Sequence, residues 1–170
     1  MSWSSRAVIE LLRGKGAHAD PVACVEDLTP ELAAQHVEGF PHSIAELVFH
    51  MNYWMDYELR RVRGEKPPHP ERNEESFPSA GTALSSEDWN SLKTAFARLL
   101  ADFIALAKSS EGDMQRQVES LHERDKQIAS TLEASLWQVV VHNSYHIGQV
   151  VMLRQALNVW PPRGGVVSLW

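Results

Sequence analysis

The amino-acid sequence predicts an all-α protein, a bundle of about four helices in which residues 1–170 form one domain. Three observations support this prediction. Apolar residues recur at spacings of three and four over three long stretches, which is the pattern of helices with one buried face. Residues that favour helix starts precede these stretches. Finally, no two alternating apolar runs are joined by a turn that would indicate a β-hairpin.

A short helical segment is predicted at the N terminus, over residues 3–13. Its apolar positions are Ala7, Val8, Leu11 and Leu12. Gly14 and Gly16 end this pattern. Two further helix starts follow at Asp20-Pro21 and Thr29-Pro30, because a capping side chain precedes a proline at the first helical position in both.

The first long helix is predicted to begin at Ser43, where Ser43-Ile44-Ala45-Glu46 matches a capping box, and to end near Gly64. Its buried face comprises Ile44, Leu47, Val48, Met51, Met55, Leu59 and Val62. A second long helix begins after Ser85 or Ser86 and fades between Ser109 and Gly112. Its buried face comprises Trp89, Leu92, Phe96, Leu99, Phe103 and Leu106.

The third long helix is predicted from Ser130, where Ser130-Thr131-Leu132-Glu133 is again a capping box, to about Leu157. Its buried face comprises Leu136, Val139, Val140, Ile147, Val150 and Leu157. Residues 65–84 are rich in proline and predict a surface connection along one side of the bundle. The sequence pattern of the charged span 113–127 does not decide between helix and loop. Residues 161–170 predict an irregular C-terminal tail that folds back over the bundle.

Composition and charge exclude several classes of function. The chain is 44% hydrophobic, which is enough for a substantial core. Its net charge of -6 and pI near 5.7 disfavour binding to nucleic acid, which needs a concentrated basic face. The single cysteine, Cys24, excludes an internal disulfide and fits a reducing compartment. No apolar run approaches the roughly 20 residues of a membrane span, so we expect a cytoplasmic protein without membrane contact.

Three of the eight histidines fall on the shoulders of apolar helix faces. His142 and His146 lie four residues apart, so both imidazoles project from one face where a single cation could contact both. His50 holds a similar position on another helix, which makes it a candidate third ligand. The alternative for each histidine is a hydrogen bond to a backbone carbonyl or packing beside an aromatic ring. The other five histidines fall in loops or near helix ends: His18, His36, His42, His69 and His122.

Two blocks of the sequence are similar to the paired signatures of the DinB/YfiT-like superfamily. They are Leu47-Val48-Phe49-His50-Met51-Asn52-Tyr53-Trp54-Met55-Asp56 and His142-Asn143-Ser144-Tyr145-His146-Ile147-Gly148-Gln149-Val150. The resemblance extends over most of the chain. It implies a DinB-like four-helix bundle, usually a homodimer, that holds a divalent metal ion on three side chains. Matched position by position, those ligands are His50, His142 and His146.

The resemblance also implies chemistry. Characterised relatives include transferases that attach bacillithiol or a similar low-molecular-weight thiol to an electrophile, and a mycothiol-dependent maleylpyruvate isomerase; many others are classed as metal-dependent hydrolases. Three protein ligands leave a coordination position open for water, thiol or substrate. Neutral imidazoles suit Zn, Ni, Cu or Fe, and we expect zinc because it is available, with nickel, iron or manganese as alternatives. The predicted function is therefore metal-dependent thiol transfer or hydrolysis of a small-molecule substrate.

Two alternatives stay open at this point. In one, the metal only staples the helices of a stress-related binding or scaffold protein that has no activity. In the other, the chain is a helical dimerisation module without metal.

In a metal centre, Glu46 and Gln149 are the expected acceptors for the second ring nitrogens of the ligands. We also expect aromatic residues to wall the pocket, and Arg154 to be a solvated or dimer-face charge, with contact to an anionic substrate as the alternative. These aromatic residues are Tyr53, Trp54, Tyr57 and Tyr145.

Overall fold

The regular structure in this computed structural model, which describes residues 5–79 and 83–163, is almost entirely helical. The helices are α1 (Ser5–Leu12), α2 (Ala23–Glu26), α3 (Pro30–Ala34), α4 (Ile44–Val62), α5 (Ser86–Leu106), α6 (Glu111–Met114), α7 (Glu123–Ile128), α8 (Leu132–Ala156) and a 3₁₀-helix at Asn73–Ser76. Within the described ranges there is no strand, only an isolated antiparallel bridge between Gln117 and Thr131. The all-α prediction is confirmed.

Four of these helices form the bundle. Helix α4 packs against both α5 and α8, and the short helix α1 packs against the same two helices. The apolar faces predicted for α4 and α5 are buried in this core, with Leu92 and Leu106 partly buried at its edge. On α8, Leu136, Val139, Val140, Ile147 and Val150 are buried as predicted, and Leu157 is partly buried. The contact between α4 and α8 positions the candidate site.

The start of α4 follows the predicted capping box. The Ser43 hydroxyl accepts a hydrogen bond from the Glu46 amide at 3.3 Å, and the Glu46 carboxylate accepts one from the Ser43 amide at 2.7 Å. Two of the backbone donors at this helix end are thereby satisfied. A second capping box, between Ser85 and Asp88, starts α5. Both starts confirm the prediction.

The start of α8 differs from the prediction by one residue. Thr131, rather than Ser130, caps the helix, and its hydroxyl accepts a hydrogen bond from the Ala134 amide at 3.2 Å. The Ser130 carbonyl instead accepts a hydrogen bond from the Val118 amide at 2.8 Å. Pairing with residues 117 and 118 therefore holds Ser130 outside the helix, and the predicted capping box with Glu133 does not form.

The connections are more ordered than their composition predicts. Residues 65–79 follow the surface of α4 but include a 3₁₀-helix that packs on α4 and buries Ser76 completely. The ambiguous span 113–127 contains the end of α6 and most of α7, with Met114 and Val118 buried. Trp3 and residues 164–170 of the predicted tail lie outside the described residues. None of the helices described over 5–79 and 83–163 has the length and apolar character needed to cross a membrane.

Arg154 does not have the predicted role of an exposed charge. It is 1% exposed, and its guanidinium donates hydrogen bonds to the Asp27 carboxylate at 2.8 Å and to the backbone carbonyls of Cys24 and Val159. A buried guanidinium needs such partners, because desolvating an unpaired charge costs several kcal/mol. Arg154 therefore joins α8 to the segment around α2 and is not available to a substrate.

Candidate metal centre

Three imidazoles converge where α4 packs against α8. His50 projects from α4, and His142 and His146 project from α8 one turn apart. The Nε2 atom of His142 lies 3.2 Å from His50 Nε2 and 3.2 Å from His146 Nε2. His50 and His146 are each 8% exposed, and His142 is half-buried. The structure thus brings together all three histidines that the resemblance implied as ligands.

The separations between these nitrogens fit a shared cation. Two nitrogens bound to one zinc ion at about 2.1 Å and a tetrahedral angle lie about 3.4 Å apart. The observed 3.2 Å separations are close to that value. Together, His50, His142 and His146 form a buried group of potential metal ligands, so the residues present fit a divalent ion.

Ser76 determines which nitrogen of His50 carries the proton. The Ser76 hydroxyl donates its hydrogen to the Asn73 carbonyl at 2.6 Å, so it can only accept from His50 Nδ1, which lies 2.9 Å away. The proton of a neutral His50 is therefore on Nδ1. Its Nε2 lone pair points at the other two histidines, as a metal ligand requires.

Gln149 has the same effect on His146. Its amide oxygen Oε1 lies 2.6 Å from His146 Nδ1, and because that oxygen only accepts, the imidazole donates from Nδ1 and keeps a lone pair on Nε2. The sequence-based prediction for Gln149 is confirmed. The prediction for Glu46 is wrong, because its carboxylate caps α4 at Ser43 and Ser76 occupies the position beside His50.

All three imidazoles are held neutral. Burial, and after it the neighbouring imidazoles, lower the pKa of His50 to about 3 and that of His142 to about 4. Burial also lowers the pKa of His146, against the opposing effect of its hydrogen bond to Gln149. Metal ligation requires the neutral imidazole, so the folded protein presents these groups in the state that binds a cation.

Removing either hydrogen-bond partner is expected to weaken metal binding without removing a ligand. Ser76→Ala and Gln149→Ala should each lower the affinity for zinc by about 10- to 100-fold, because the ring of the adjacent histidine loses its fixed orientation and tautomer. Competition with a chromophoric chelator measures this change. Ser91→Ala and Gln155→Ala, at exposed positions on α5 and α8, are the matched controls. An unchanged affinity in both test variants would contradict the assignment of these roles.

The metal affinity of the folded protein is expected to vary little with pH. Between about pH 7.5 and 5.5 the change should be less than about tenfold, since His50 and His142 stay deprotonated over this range and the pKa of His146 is lowered as well. If the three imidazoles had the unperturbed pKa of about 6.5, protonation of each would lower the metal affinity by roughly tenfold at pH 5.5. Chelator competition at both pH values makes the comparison, and a fall of tenfold or more would contradict the prediction.

The same shifts destabilise the metal-free protein in acid. The folded-state pKa values of these histidines lie below the unfolded value of about 6.5, so the unfolded chain takes up protons first as the pH falls. Stability that is present above pH 6.5 is therefore lost progressively towards pH 4. Urea unfolding of the metal-free protein at several pH values measures this loss.

Phe77 covers one face of the site, which the sequence did not reveal. Its ring stacks on the imidazole of His50 with centroids 4.2 Å apart. It also stacks on the imidazole of His42, with centroids 4.0 Å apart. Phe77 belongs to the proline-rich connection 65–84, which has no periodic pattern. Only the fold shows that this connection lies over the histidines and shields one of them.

A cavity of about 360 Å³ opens beside His50 and His142. This volume is within the range of pockets that hold small ligands. Its walls combine apolar and polar side chains: Trp54, Met55, Phe77, Val139, Glu58, His69, Asn73, Asp125 and Gln138. Of the four aromatic residues predicted to wall the pocket, Trp54 lines this cavity. Tyr145 instead packs edge-on against His146, with centroids 5.0 Å apart, and remains 65% exposed.

The fold and the site define a class of protein: a helical bundle with a candidate three-histidine metal centre at the contact between two of its long helices. The model of one family, described as the DinB superfamily, matches residues 16–150. The chain therefore belongs to the DinB superfamily, as its two sequence blocks indicated. No curated protein and no solved structure matches it.

Proposed function

We propose that this protein is a divalent-metal-dependent enzyme in which His50, His142 and His146 hold the ion. Zinc is the ion that we expect, with nickel, iron or manganese as alternatives. The observation that carries the proposal is the convergence of three Nε2 atoms beside a cavity of about 360 Å³. When bound, a divalent ion lowers the pKa of a ligated water or thiol and supplies a nucleophile near neutral pH.

The nucleophile comes from outside the chain in this proposal. Cys24 is fully buried, and burial raises the pKa of its thiol to about 12, so it stays protonated. It also lies in the α2 segment, beside Arg154 and away from the cavity lining. Water or a low-molecular-weight thiol such as bacillithiol therefore fits the site better than a protein nucleophile. Ser76 and Gln149 contribute by keeping the protons of two ligands on Nδ1.

The cavity indicates the kind of substrate. Trp54, Phe77 and Val139 offer apolar surface next to the histidines, and Glu58 and Asp125 place carboxylates on the cavity wall. We infer a small electrophile with an apolar body and a polar end, bound with its reactive atom towards the histidines. Apolar surface beside that atom favours a thiol or a single ordered water molecule over bulk solvent as the nucleophile.

Turnover assays with and without thiol test the proposal. The zinc-loaded protein is incubated with a chlorinated aromatic electrophile and several low-molecular-weight thiols, and with an ester as a hydrolysis substrate. Thiol-dependent turnover that disappears in His142→Ala supports transfer, and thiol-independent turnover that disappears in the same variant supports hydrolysis. Metal that raises the melting temperature without any turnover would overturn the proposal in favour of a metal-stabilised scaffold.

We further propose that the protein is a homodimer that associates through α8. The outer face of this helix carries Trp137, Val141, Tyr145 and Met152, which are 38, 66, 65 and 56% exposed. At 100° per residue they fall within an arc of about 80°. From Ala134 to Ala156 the only Lys, Arg, Asp or Glu is Arg154, which is buried. An uncharged apolar stripe of this kind is typical of a helix that packs against a second copy.

A charge in the middle of this stripe is expected to dissociate the dimer. Val141→Glu would place a carboxylate against the apolar stripe of the second copy, where it has no counter-ion, so the dissociation constant should rise by at least about 100-fold. Sedimentation velocity over a range of concentrations measures it. Thr94→Glu, at an exposed position on α5 away from this stripe, is the control. A monomeric wild-type protein would refute this assembly.

A further inference from the structure

A second cluster of potential metal ligands lies across the cavity from the three histidines. His69 comes from the connection after α4, His122 precedes α7, and Asp125 lies within α7. One ligand atom from each of these residues lies within 4.8 Å of the other two. His69 and Asp125 line the same cavity as His50 and His142, and the rings of His69 and His122 stack with centroids 4.1 Å apart.

The hydrogen bonds of this cluster leave nitrogen lone pairs without partners. His69 Nδ1 lies 2.8 Å from the carbonyl of Pro70, which only accepts, so the proton is on Nδ1 and the Nε2 lone pair is free to bind a cation. His122 Nδ1 is buried without any hydrogen-bond partner among the described residues. An unpartnered buried nitrogen is unfavourable, so a ligand that satisfies it is favoured.

Asp125 is oriented for the same purpose. It is 7% exposed, and the hydroxyls of Tyr57 and Ser120 both donate to its Oδ2, at 2.6 and 2.7 Å. These bonds fix the carboxylate and leave Oδ1 as an acceptor. Arg61 Nε lies 3.9 Å from Oδ2, but the guanidinium of Arg61 is paired with Glu58 through two hydrogen bonds, which offsets its charge.

We propose that His69, His122 and Asp125 form a second divalent-cation site, which faces the same cavity as the first. Two imidazoles and one carboxylate suit zinc, cobalt or iron. Ligand atoms bound at about 2.1 Å to one ion lie about 3.4 Å apart, so the three ligand atoms, which lie within 4.8 Å of one another, must close by at most about 1.4 Å. The stacked rings of His69 and His122 must also turn out of their parallel arrangement so that both lone pairs point at the ion. Both imidazoles lie outside helices, where such a movement is possible. This role rests on the proposed function: the second ion would bind an oxygen-rich group at the polar end of the substrate proposed above.

Metal stoichiometry tests this site separately from the first. The metal-free protein is dialysed to equilibrium with micromolar zinc, and bound zinc is measured by mass spectrometry. We expect two ions per chain in the wild type, one in His122→Phe and one in His142→Ala, because each variant removes one ligand of one site. His122→Phe keeps a ring to stack on His69, and His36→Ala, at an exposed histidine, is the control that should retain two ions.

One ion in the wild type that is lost in His142→Ala, or two ions in His122→Phe, would overturn the second site. One ion in the wild type that persists in His142→Ala would instead count against the three-histidine site, so the two failures are distinguishable. Crystals of the wild type soaked in zinc chloride provide a measurement that does not depend on a variant folding. An anomalous difference peak is expected between His69, His122 and Asp125. If this peak is absent while the three-histidine site shows one, the proposal is refuted.

Discussion

Replacing His142 by alanine is expected to abolish tight binding of a divalent ion at the three-histidine site. His142 is the central member of the group, because its Nε2 lies 3.2 Å from both His50 Nε2 and His146 Nε2. Changes in the residues that orient a ligand already lower affinity by about 10- to 100-fold, so loss of a ligand should exceed 100-fold. Competition titration with a chromophoric chelator measures the change.

The fold of the His142→Ala variant should survive this substitution. His142 is half-buried and makes no hydrogen bond to the backbone in the described residues, while the core of α8 lies in Leu136, Val140 and Ile147. Circular dichroism should therefore show an unchanged helix content. His36→Ala, at an exposed histidine, is the matched control and should bind the metal normally. Wild-type affinity in His142→Ala would remove the basis of the proposed function.

Arg61→Met is expected to destabilise the protein by about 3–5 kcal/mol, because it leaves a buried carboxylate without its counter-ion. The side chains of Arg61 and Glu58 are 0 and 4% exposed, and Arg61 Nη1 donates to both carboxylate oxygens at 2.9 and 2.8 Å. Arg61 Nη2 also donates to the Ala129 carbonyl at 2.9 Å, which ties α4 to the end of α7. Urea or guanidinium unfolding measures the loss in free energy of unfolding.

Two further variants separate charge from packing at this position. Glu58→Gln in the Arg61→Met background removes the unpaired charge, so it should restore part of the lost stability. Arg63 lies two residues after Arg61 and is half-exposed beside Asp102. As the control, Arg63→Met should change the free energy of unfolding by less than about 1 kcal/mol. If the double variant is no more stable than Arg61→Met, then lost packing and not the uncompensated carboxylate causes the effect.

The buried pair also sets the direction of a pH effect. Burial raises the pKa of Glu58 even with Arg61 present, and removing Arg61 should raise it further. A carboxyl group whose folded-state pKa is raised contributes stability below its unfolded pKa and loses it as the pH rises through the folded value. The stability deficit of Arg61→Met relative to the wild type should therefore grow only as the pH rises above the raised pKa of Glu58 in the wild type, and level off above its still higher pKa in the variant.

The helices could be predicted because their signals are local. Capping at Ser43 and at Ser85 depends on side chains three residues away, and the buried faces of α4, α5 and α8 follow from spacing along one helix. The start of α8 was predicted one residue early for the opposite reason. Ser130 pairs with the Val118 amide, a contact between segments that no local pattern contains.

The surroundings of the histidines were only partly predictable. Gln149 lies within one helical turn of His146, so its hydrogen bond could be expected from spacing. Ser76 and Phe77 are 26 and 27 residues from His50 in a proline-rich connection without periodicity, and only the packed chain places them against that ring. Glu46 looked equivalent in sequence, but its carboxylate is used by the cap of its own helix.

By itself, the sequence determined the helical class, the buried faces and the pairing of His142 with His146 on one face, because these properties repeat with the geometry of a single helix. The tertiary structure decided that His50 joins the other two in one group, with its Nε2 3.2 Å from that of His142. It also decided which ring nitrogens carry protons and where the cavity opens. Those properties depend on how α4, α8 and the connection over them pack together, and packing is set by many distant contacts at once.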